Sequence, residues 1–186
     1  MTVLVVYASA LGSTREIAEH VASRLAVAPG EVECRSVEGV KAVSGYEAVV
    51  AGSAIHNQAW LGPALQFFTH HASELAKRPV WAFSVGMSDA LPQPFRKRGA
   101  ALQQSRLERA LPQEVSLRGH KVFSGVYEAS QMPAPLRVLF RLTGGHFGDL
   151  RDWAAIDAWT DQISAQLAKR APSTSSQSVT AKVRQD

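Results

Sequence analysis

The chain has 186 residues, of which 46% are hydrophobic, enough for one domain with a sizeable core. No apolar run reaches the roughly eighteen residues of a membrane span, and the N-terminus has no basic region typical of a signal peptide. The single cysteine, Cys34, excludes an internal disulfide and a thiolate zinc site, and we expect a cytoplasmic protein. The net charge of +4 predicts attraction to acidic partners such as nucleic acid, anionic lipid or a polycarboxylate ligand.

Strands and helices are predicted to alternate along the chain. Apolar or alternating runs predict strands at 3–7, 31–37, 46–51, 79–85 and 120–127. Helical spacing predicts a first helix capped by Ser13 or Thr14, helices over 61–76 and 94–111, and a last helix that starts at Asp152-Trp153 with Asp152 as its cap. This alternation predicts an α/β fold with a doubly wound parallel sheet of order 2-1-3-4-5. We predict one domain over residues 1–170 and a disordered tail over 171–186.

The segment between residues 127 and 152 is longer than an ordinary link between a strand and a helix. It contains apolar residues that share one helical face and two arginines on another face. They are Leu136, Leu139 and Phe140, with Arg137 and Arg141. Two interpretations stay open: a short helix packed on the edge of the sheet, or a contact with substrate, partner or membrane surface.

Three loops are predicted to form a ligand site. In a doubly wound sheet, ligands bind outside the carboxyl ends of the strands, near the point where the strand order reverses. This rule selects loops 9–14, 53–60 and 84–89. The first loop offers hydroxyl groups, a glycine at position 12 and the start of a helix, a combination that favours a phosphate. A serine-rich helix cap without a ligand is the alternative.

Several nucleotide-binding motifs are absent. The sequence has neither a GxxxxGK[ST] loop nor a GxGxxG fingerprint, which disfavours ATP, GTP and a Rossmann-type NAD site. A receiver domain shares the predicted topology but requires acidic residues where this chain has Ala8 and Gly52. No carboxylate or histidine cluster has metal-ligand spacing, so no metal is expected.

Four segments resemble the flavodoxin family. LVVYASALGSTREIAEHVA resembles its FMN phosphate loop, and AGSAIHNQAWLGPALQFF and WAFSVGMSD resemble its second and third flavin loops. GDLRDWAAIDAW is similar to the start of the last helix in the branch that includes menaquinone-dependent protoporphyrinogen oxidases. The resemblance covers roughly residues 2–168, and it implies a flavodoxin-like fold with FMN as the cofactor.

The resemblance also implies which residues contact FMN. The phosphate would be held by Ser9, Ala10, Leu11, Gly12, Ser13 and Thr14. The ribityl chain and one edge of the ring would contact Ser53, Ala54, Ile55 and His56. The other side of the ring would contact Ser84, Val85, Gly86 and Met87. Trp60 would either reach over the ring or anchor the following helix. Ile55 stands where many electron carriers place an aromatic, which suggests an open ring face suited to a substrate.

These features predict an FMN-dependent oxidoreductase without a catalytic acid or base of its own. The resemblance implies oxidation of protoporphyrinogen IX, with electrons passed to a quinone. The alternatives are an electron-transfer flavodoxin that serves another redox protein, and a basic interaction module without flavin. The basic segment 96–118 is either a solvated helix face or a contact for propionates or an anionic membrane. No nucleic-acid motif accompanies it, and a homodimer is one of the oligomeric states left open.

Overall fold

The structure, a computed structural model, describes residues 1–26, 30–86, 104–129, 134–142 and 147–170. Eight strands are seen in this part of the chain: β1 Thr2–Ala8, β2 Glu31–Ser36, β3 Ala48–His56, β4 Ala59–Trp60, β5 Val80–Gly86, β6 Leu117–Ser124, β7 Val126–Tyr127 and β8 Gly148–Asp149. The helices are α1 Ser13–Leu25, α2 Gly62–His70, α3 Ala72–Leu75, α4 over 104–109, α5 Ala134–Leu142 and α6 Trp153–Ala168. None of these helices is long and apolar enough to cross a bilayer.

The five long strands form a parallel sheet in the order β2-β1-β3-β5-β6, and the short β4 pairs antiparallel with β3. This is the predicted 2-1-3-4-5 order of long strands, which is therefore confirmed. Strands β7 and β8 form a separate antiparallel pair beside the sheet.

Both faces of the sheet are covered by helices. In β1, Val3 and Val5 pack in the core shared with α1 and α6, whereas Leu4 and Val6 pack in the core shared with α2. Successive side chains of a strand point to opposite faces, so a strand buried on both sides must be apolar at every position. This explains why the sequence shows an uninterrupted apolar run here rather than an alternating one.

Two strand predictions have the wrong ends. The strand predicted at 46–51 starts later and continues to His56, because Asn57 and Gln58 adopt positive φ angles of 50° and 63° and form a tight turn into β4. The strand predicted at 120–127 is two strands, since β6 ends at Ser124 and β7 turns away to pair with β8. Residues predicted as the second loop therefore belong to a hairpin.

One of the predicted helix starts is confirmed, and two other helix predictions differ from the structure. The last helix begins as expected, because the Asp152 carboxylate accepts a hydrogen bond from the Ala155 amide at 2.9 Å. The predicted cap of α1 is wrong: Gly12 occupies the cap position, and Ser13 and Thr14 lie inside the first turn. The helix predicted at 61–76 is interrupted at His71.

Other predictions concern segments that the structure describes only in part. Of the helix predicted at 94–111, residues 104–109 are helical, and 94–103 lie outside the described residues, as does the tail at 171–186. A helix does form in the long segment, as α5, with Val138, Arg141 and Leu142 exposed.

Candidate functional site

A cleft of about 890 Å³, measured to its open mouth, lies at the carboxyl ends of the parallel strands. The part of it that water-sized molecules can occupy is about 310 Å³, at the lower end of the usual range for small-molecule sites. The residues that line it are Ala10, Leu11, Ser13, Thr14, Ala54, Ile55, His56, Val85, Gly86, Gly125, Val126 and Tyr127. The three predicted loops therefore meet in space.

One end of the cleft is the start of α1. The Gly12 amide donates to Ser9 Oγ at 3.0 Å, and Gly12 has a φ of 97°, which favours glycine. The first hydrogen bond of the helix runs from the Glu16 amide to the Gly12 carbonyl at 3.0 Å. The amides of residues 13–15 therefore have no partner within the helix, and no side chain caps it. Such an end is suited to an anion.

Thr14 supplies a further donor at this end. Thr14 is fully buried and is one of the residues around the cleft, and its Oγ1 has no hydrogen-bond partner among the described residues. Buried polar groups are nearly always paired, because an unpaired one loses its hydration without compensation. A ligand oxygen near Thr14 Oγ1 would remove this penalty. Trp81 Nε1 is also buried without a partner among the described residues, but Trp81 does not line the cleft.

The floor of the cleft is closely packed. A Cβ atom on Gly86 would lie 3.1 Å from Ile55 Cδ1, so the ends of β3 and β5 are in tight contact. A Cβ atom on Gly125 would lie 2.8 Å from Val85 Cγ1 and 3.0 Å from Ser13 Oγ. Glycine at these positions lets the strand ends approach one another, which fixes the depth of the cleft.

The sequence analysis missed the wall formed by Gly125, Val126 and Tyr127. Tyr127 is 7% exposed and stacks on Phe147, with ring centroids 5.2 Å apart and planes inclined by 28°. The signal was available, since the predicted fifth strand ends at the same edge of the sheet. The rule used on the sequence considers only the loops beside the point where the strand order reverses, so it omits the end of the fifth strand. Tyr127 gives the cleft an aromatic wall, although Ile55 stands where many electron carriers have an aromatic residue.

Three of the predicted contact residues lie beneath the cleft and do not line it. Trp60 Nε1 donates to Ser84 Oγ at 2.7 Å, and Ser84 Oγ lies 2.8 Å from His120 Nε2. Ser53 Oγ accepts from the Leu61 amide at 3.2 Å and donates to the Ala54 carbonyl at 2.9 Å. Of the two interpretations of Trp60, the structure therefore favours the core anchor. Both hydroxyls already have hydrogen-bond partners within the protein, and their contact with a ligand stays a prediction.

The hydrogen-bond directions around Ser84 follow from the charge state of His120. Burial lowers the pKa of His120, which outweighs the opposing effect of Glu108, so the ring is neutral at pH 7. His120 Nδ1 lies 3.2 Å from Glu108 Oε1 and donates to it. Nε2 is then an acceptor, and Ser84 donates to it while accepting from Trp60. Trp60 Nε1, Ser84 Oγ and both ring nitrogens of His120 therefore all have hydrogen-bond partners.

The remaining predicted residues lie at the margin of the cleft or outside the described part of the chain. Ser9 and Gly12 shape the first loop without lining the cleft, and His56 is exposed at its edge. Met87 lies outside the described residues, together with Arg96, Lys97 and Arg98. Within the described ranges, no three His, Cys, Asp or Glu side chains are grouped as a metal site would require.

The comparison with protein families gives a match that fits this geometry. The model of the flavodoxin domain family matches residues 4–142, three quarters of the chain. The chain belongs to the flavodoxin domain family. The comparison of this flavodoxin domain with curated proteins gives no match.

Solved structures agree with the family at the level of the fold. A short-chain flavodoxin associated with a non-canonical PDU bacterial microcompartment matches with a TM-score of 0.56 and 14% identity, over 91% of this chain and 97% of that one. A Pseudomonas aeruginosa flavodoxin matches with a TM-score of 0.55 and 18% identity, over 90% and 99%. Rubredoxin oxygen:oxidoreductase from Desulfovibrio gigas matches with a TM-score of 0.51 and 13% identity, over 90% of this chain but 36% of that one. The flavodoxin domain thus has a flavodoxin-like fold, and the more specific resemblance to protoporphyrinogen oxidases stays a prediction.

Proposed function

We propose that this flavodoxin domain binds FMN, with the phosphate at the start of α1 and the ring towards Ile55, Gly86 and Tyr127. The observation that carries the proposal is the buried Thr14 Oγ1, which has no partner among the described residues, beside the first-turn amides that have no partner within the helix. Together they are a set of neutral donors, which suits a phosphate without requiring a lysine. The apolar walls suit a flat ring.

The chain itself would mainly bind and orient. FMN, when bound, would supply the capacity to take up and release electrons. The start of α1 would fix the phosphate, and the close contact between Ile55 and Gly86 would shape the floor under the ring. Phe147 would hold Tyr127 in place against the opposite wall. Among the described residues, those that line the cleft include no carboxylate, and His56 is exposed at its edge.

As the more specific function, we propose oxidation of protoporphyrinogen IX with a quinone as the electron acceptor. The support is the resemblance of the GDLRDWAAIDAW segment and the net charge of +4, which favours a substrate bearing propionate groups. The open mouth of the cleft leaves room for a substrate to approach. A peripheral contact with an anionic membrane, where a quinone would be found, agrees with the same charge.

The second candidate is an electron carrier that serves another redox protein. It is favoured by the lack of any carboxylate in the part of the cleft lining that the structure describes. It also agrees with the match to two flavodoxins over 97% and 99% of their own length.

The test begins with the visible absorption spectrum of the purified protein after addition of FMN and removal of the excess. Bound flavin supports the proposal, and a colourless protein overturns it. The loaded protein is then given protoporphyrinogen IX and a menaquinone analogue without oxygen, and porphyrin fluorescence is followed. Formation of porphyrin above the rate with free FMN supports the oxidase. No porphyrin, with rapid reduction by a flavodoxin reductase, supports the carrier.

A further inference from the structure

A carboxylate lies beside the anion-binding end of the cleft. Glu16 is in the first turn of α1, and its Oε1 is 3.9 Å from where a Cβ on Gly12 would be. A negative side chain stabilises the start of a helix, but it repels a second negative group placed at the same point. A phosphate held by the amides of residues 13–15 would therefore meet an unfavourable charge.

Arg151 pairs with this carboxylate. Its Nη1 donates to Glu16 Oε2, while Nε and Nη2 donate to Asp149 Oδ1 and Oδ2 at 2.9 and 2.7 Å. The guanidinium also lies over the Trp153 ring, 4.8 Å from its centroid. The side chain is only 11% exposed, so the group is held in one orientation by both carboxylates and the ring.

The same arginine connects two walls of the cleft. Asp149 lies in β8, opposite Val126 of β7, and the Leu150 amide donates to the Gly125 carbonyl at 3.2 Å. Val126 and Gly125 line the cleft, as does Ser13 at the start of α1. The Glu16–Arg151–Asp149 contact therefore fixes the distance between the start of α1 and the wall formed by β7.

We propose that Arg151 is a positioning residue for the phosphate group of the ligand, because it offsets the Glu16 charge and holds the start of α1 against Asp149 at the phosphate end. This inference rests on the proposed binding of FMN. It concerns one part of the ligand only, since Arg151 bonds to residues beside the phosphate loop. Removal of Arg151 should therefore weaken FMN much more than riboflavin, which lacks the phosphate.

The experiment compares the dissociation constants of FMN and riboflavin, measured by flavin fluorescence, for the wild type, R151Q, E16Q and the double variant. In R151Q we expect FMN binding to weaken about tenfold at low ionic strength and riboflavin binding to change less than twofold. E16Q should bind FMN a few-fold more tightly, and the double variant should regain most of the loss. These changes should shrink in 0.5 M salt, because the groups are partly exposed to solvent.

The matched control is R24Q. Arg24 lies in the last turn of α1 and joins this helix to α6, because its Nε and Nη2 donate to the Asp161 carboxylate at 2.8 and 2.7 Å. The R24Q substitution removes a comparable contact far from the phosphate end, so both flavins should bind as they do to the wild type. Equal losses of FMN and riboflavin in R151Q, or an unchanged FMN affinity in E16Q, would overturn the inference. Because Glu16 is exposed, E16Q remains informative even if R151Q folds poorly.

The proposed function and this inference fail in different ways. A wild type that binds neither flavin overturns the proposed function. In that case the inference is tested by the increase in the melting temperature of the protein when inorganic phosphate is added. This increase must be larger for E16Q than for the wild type, and equal increases overturn the inference.

Discussion

Thr14 and Ser84 are buried hydroxyl-bearing residues near the same edge of the sheet, and the sequence assigned both to the cofactor. Neither side chain is exposed. Ser84 Oγ has two hydrogen-bond partners, at 2.7 and 2.8 Å, whereas Thr14 Oγ1 has none among the described residues. The difference is therefore one of hydrogen-bond satisfaction, not of burial.

This difference predicts a binding role for Thr14 and a structural role for Ser84. The hydrogen bonds of Ser84 to water are replaced on folding by bonds to Trp60 and His120, so a ligand would add little there. Thr14 has no such replacement among the described residues, so we expect its hydroxyl to bond to a ligand in the cleft. The predictions below test this distinction through ligand affinity and stability.

The largest expected effect is on the affinity of Thr14→Val for FMN. A hydrogen bond to a charged group is worth about 1.5–3 kcal/mol, so the dissociation constant should rise roughly 10- to 150-fold. The free energy of unfolding of the apoprotein should not fall, because the substitution removes an unpaired hydroxyl and keeps the shape. Fluorescence titration and urea unfolding measure the two quantities.

Thr160→Val is the matched control for this substitution. Thr160 is also fully buried, but its Oγ1 donates to the Ile156 carbonyl at 2.8 Å in α6, away from the cleft. The control should lose about 1 kcal/mol of stability and keep its FMN affinity. Similar behaviour of the two variants would remove Thr14 from the phosphate site.

The opposite pattern is expected for Ser84→Ala. It leaves Trp60 Nε1 and His120 Nε2 without partners in a buried place, so the free energy of unfolding should fall by about 1–3 kcal/mol. FMN affinity should change less than twofold under conditions where the variant is folded. Urea unfolding and flavin titration provide the test. A large loss of affinity at full stability would return Ser84 to the binding site.

The smallest expected effect is a pH dependence of stability carried by His120. Its pKa is below the ordinary value of 6.5 in the folded chain because of burial, so the unfolded chain binds the proton first as the pH falls. The contribution to stability is complete above about pH 6.5 and declines below it. Urea unfolding between pH 7.5 and 5.5 should show a shallower decline for His120→Gln. Burial also lowers the pKa of His71, which is unchanged in this variant. Equal slopes would contradict the role of His120.

The long strands and their alternation with helices were predictable because local patterns determine them, and this alternation fits a doubly wound sheet of the observed order. Continuous apolar runs marked β1 and β5 as strands buried on both faces, and helical spacing marked α1 and α6. The β3–β4 hairpin was missed because Asn57 and Gln58 do not form a familiar turn pair. The β7–β8 pair was missed because it joins residues that are distant in the sequence.

By itself, the sequence determined the small-residue loop at 9–14, the helix that follows it and the position of both at the edge of a parallel sheet, since these depend on neighbouring residues. Only the tertiary structure decided which of these hydroxyls has partners among the described residues. The partners of Ser84 are Trp60 and His120, 24 and 36 residues away, and the cleft that Thr14 lines is completed by residues of strands distant from it in the sequence. Hydrogen-bond satisfaction is a property of the packed chain, because each donor or acceptor is counted only after the whole fold has brought its neighbours into place.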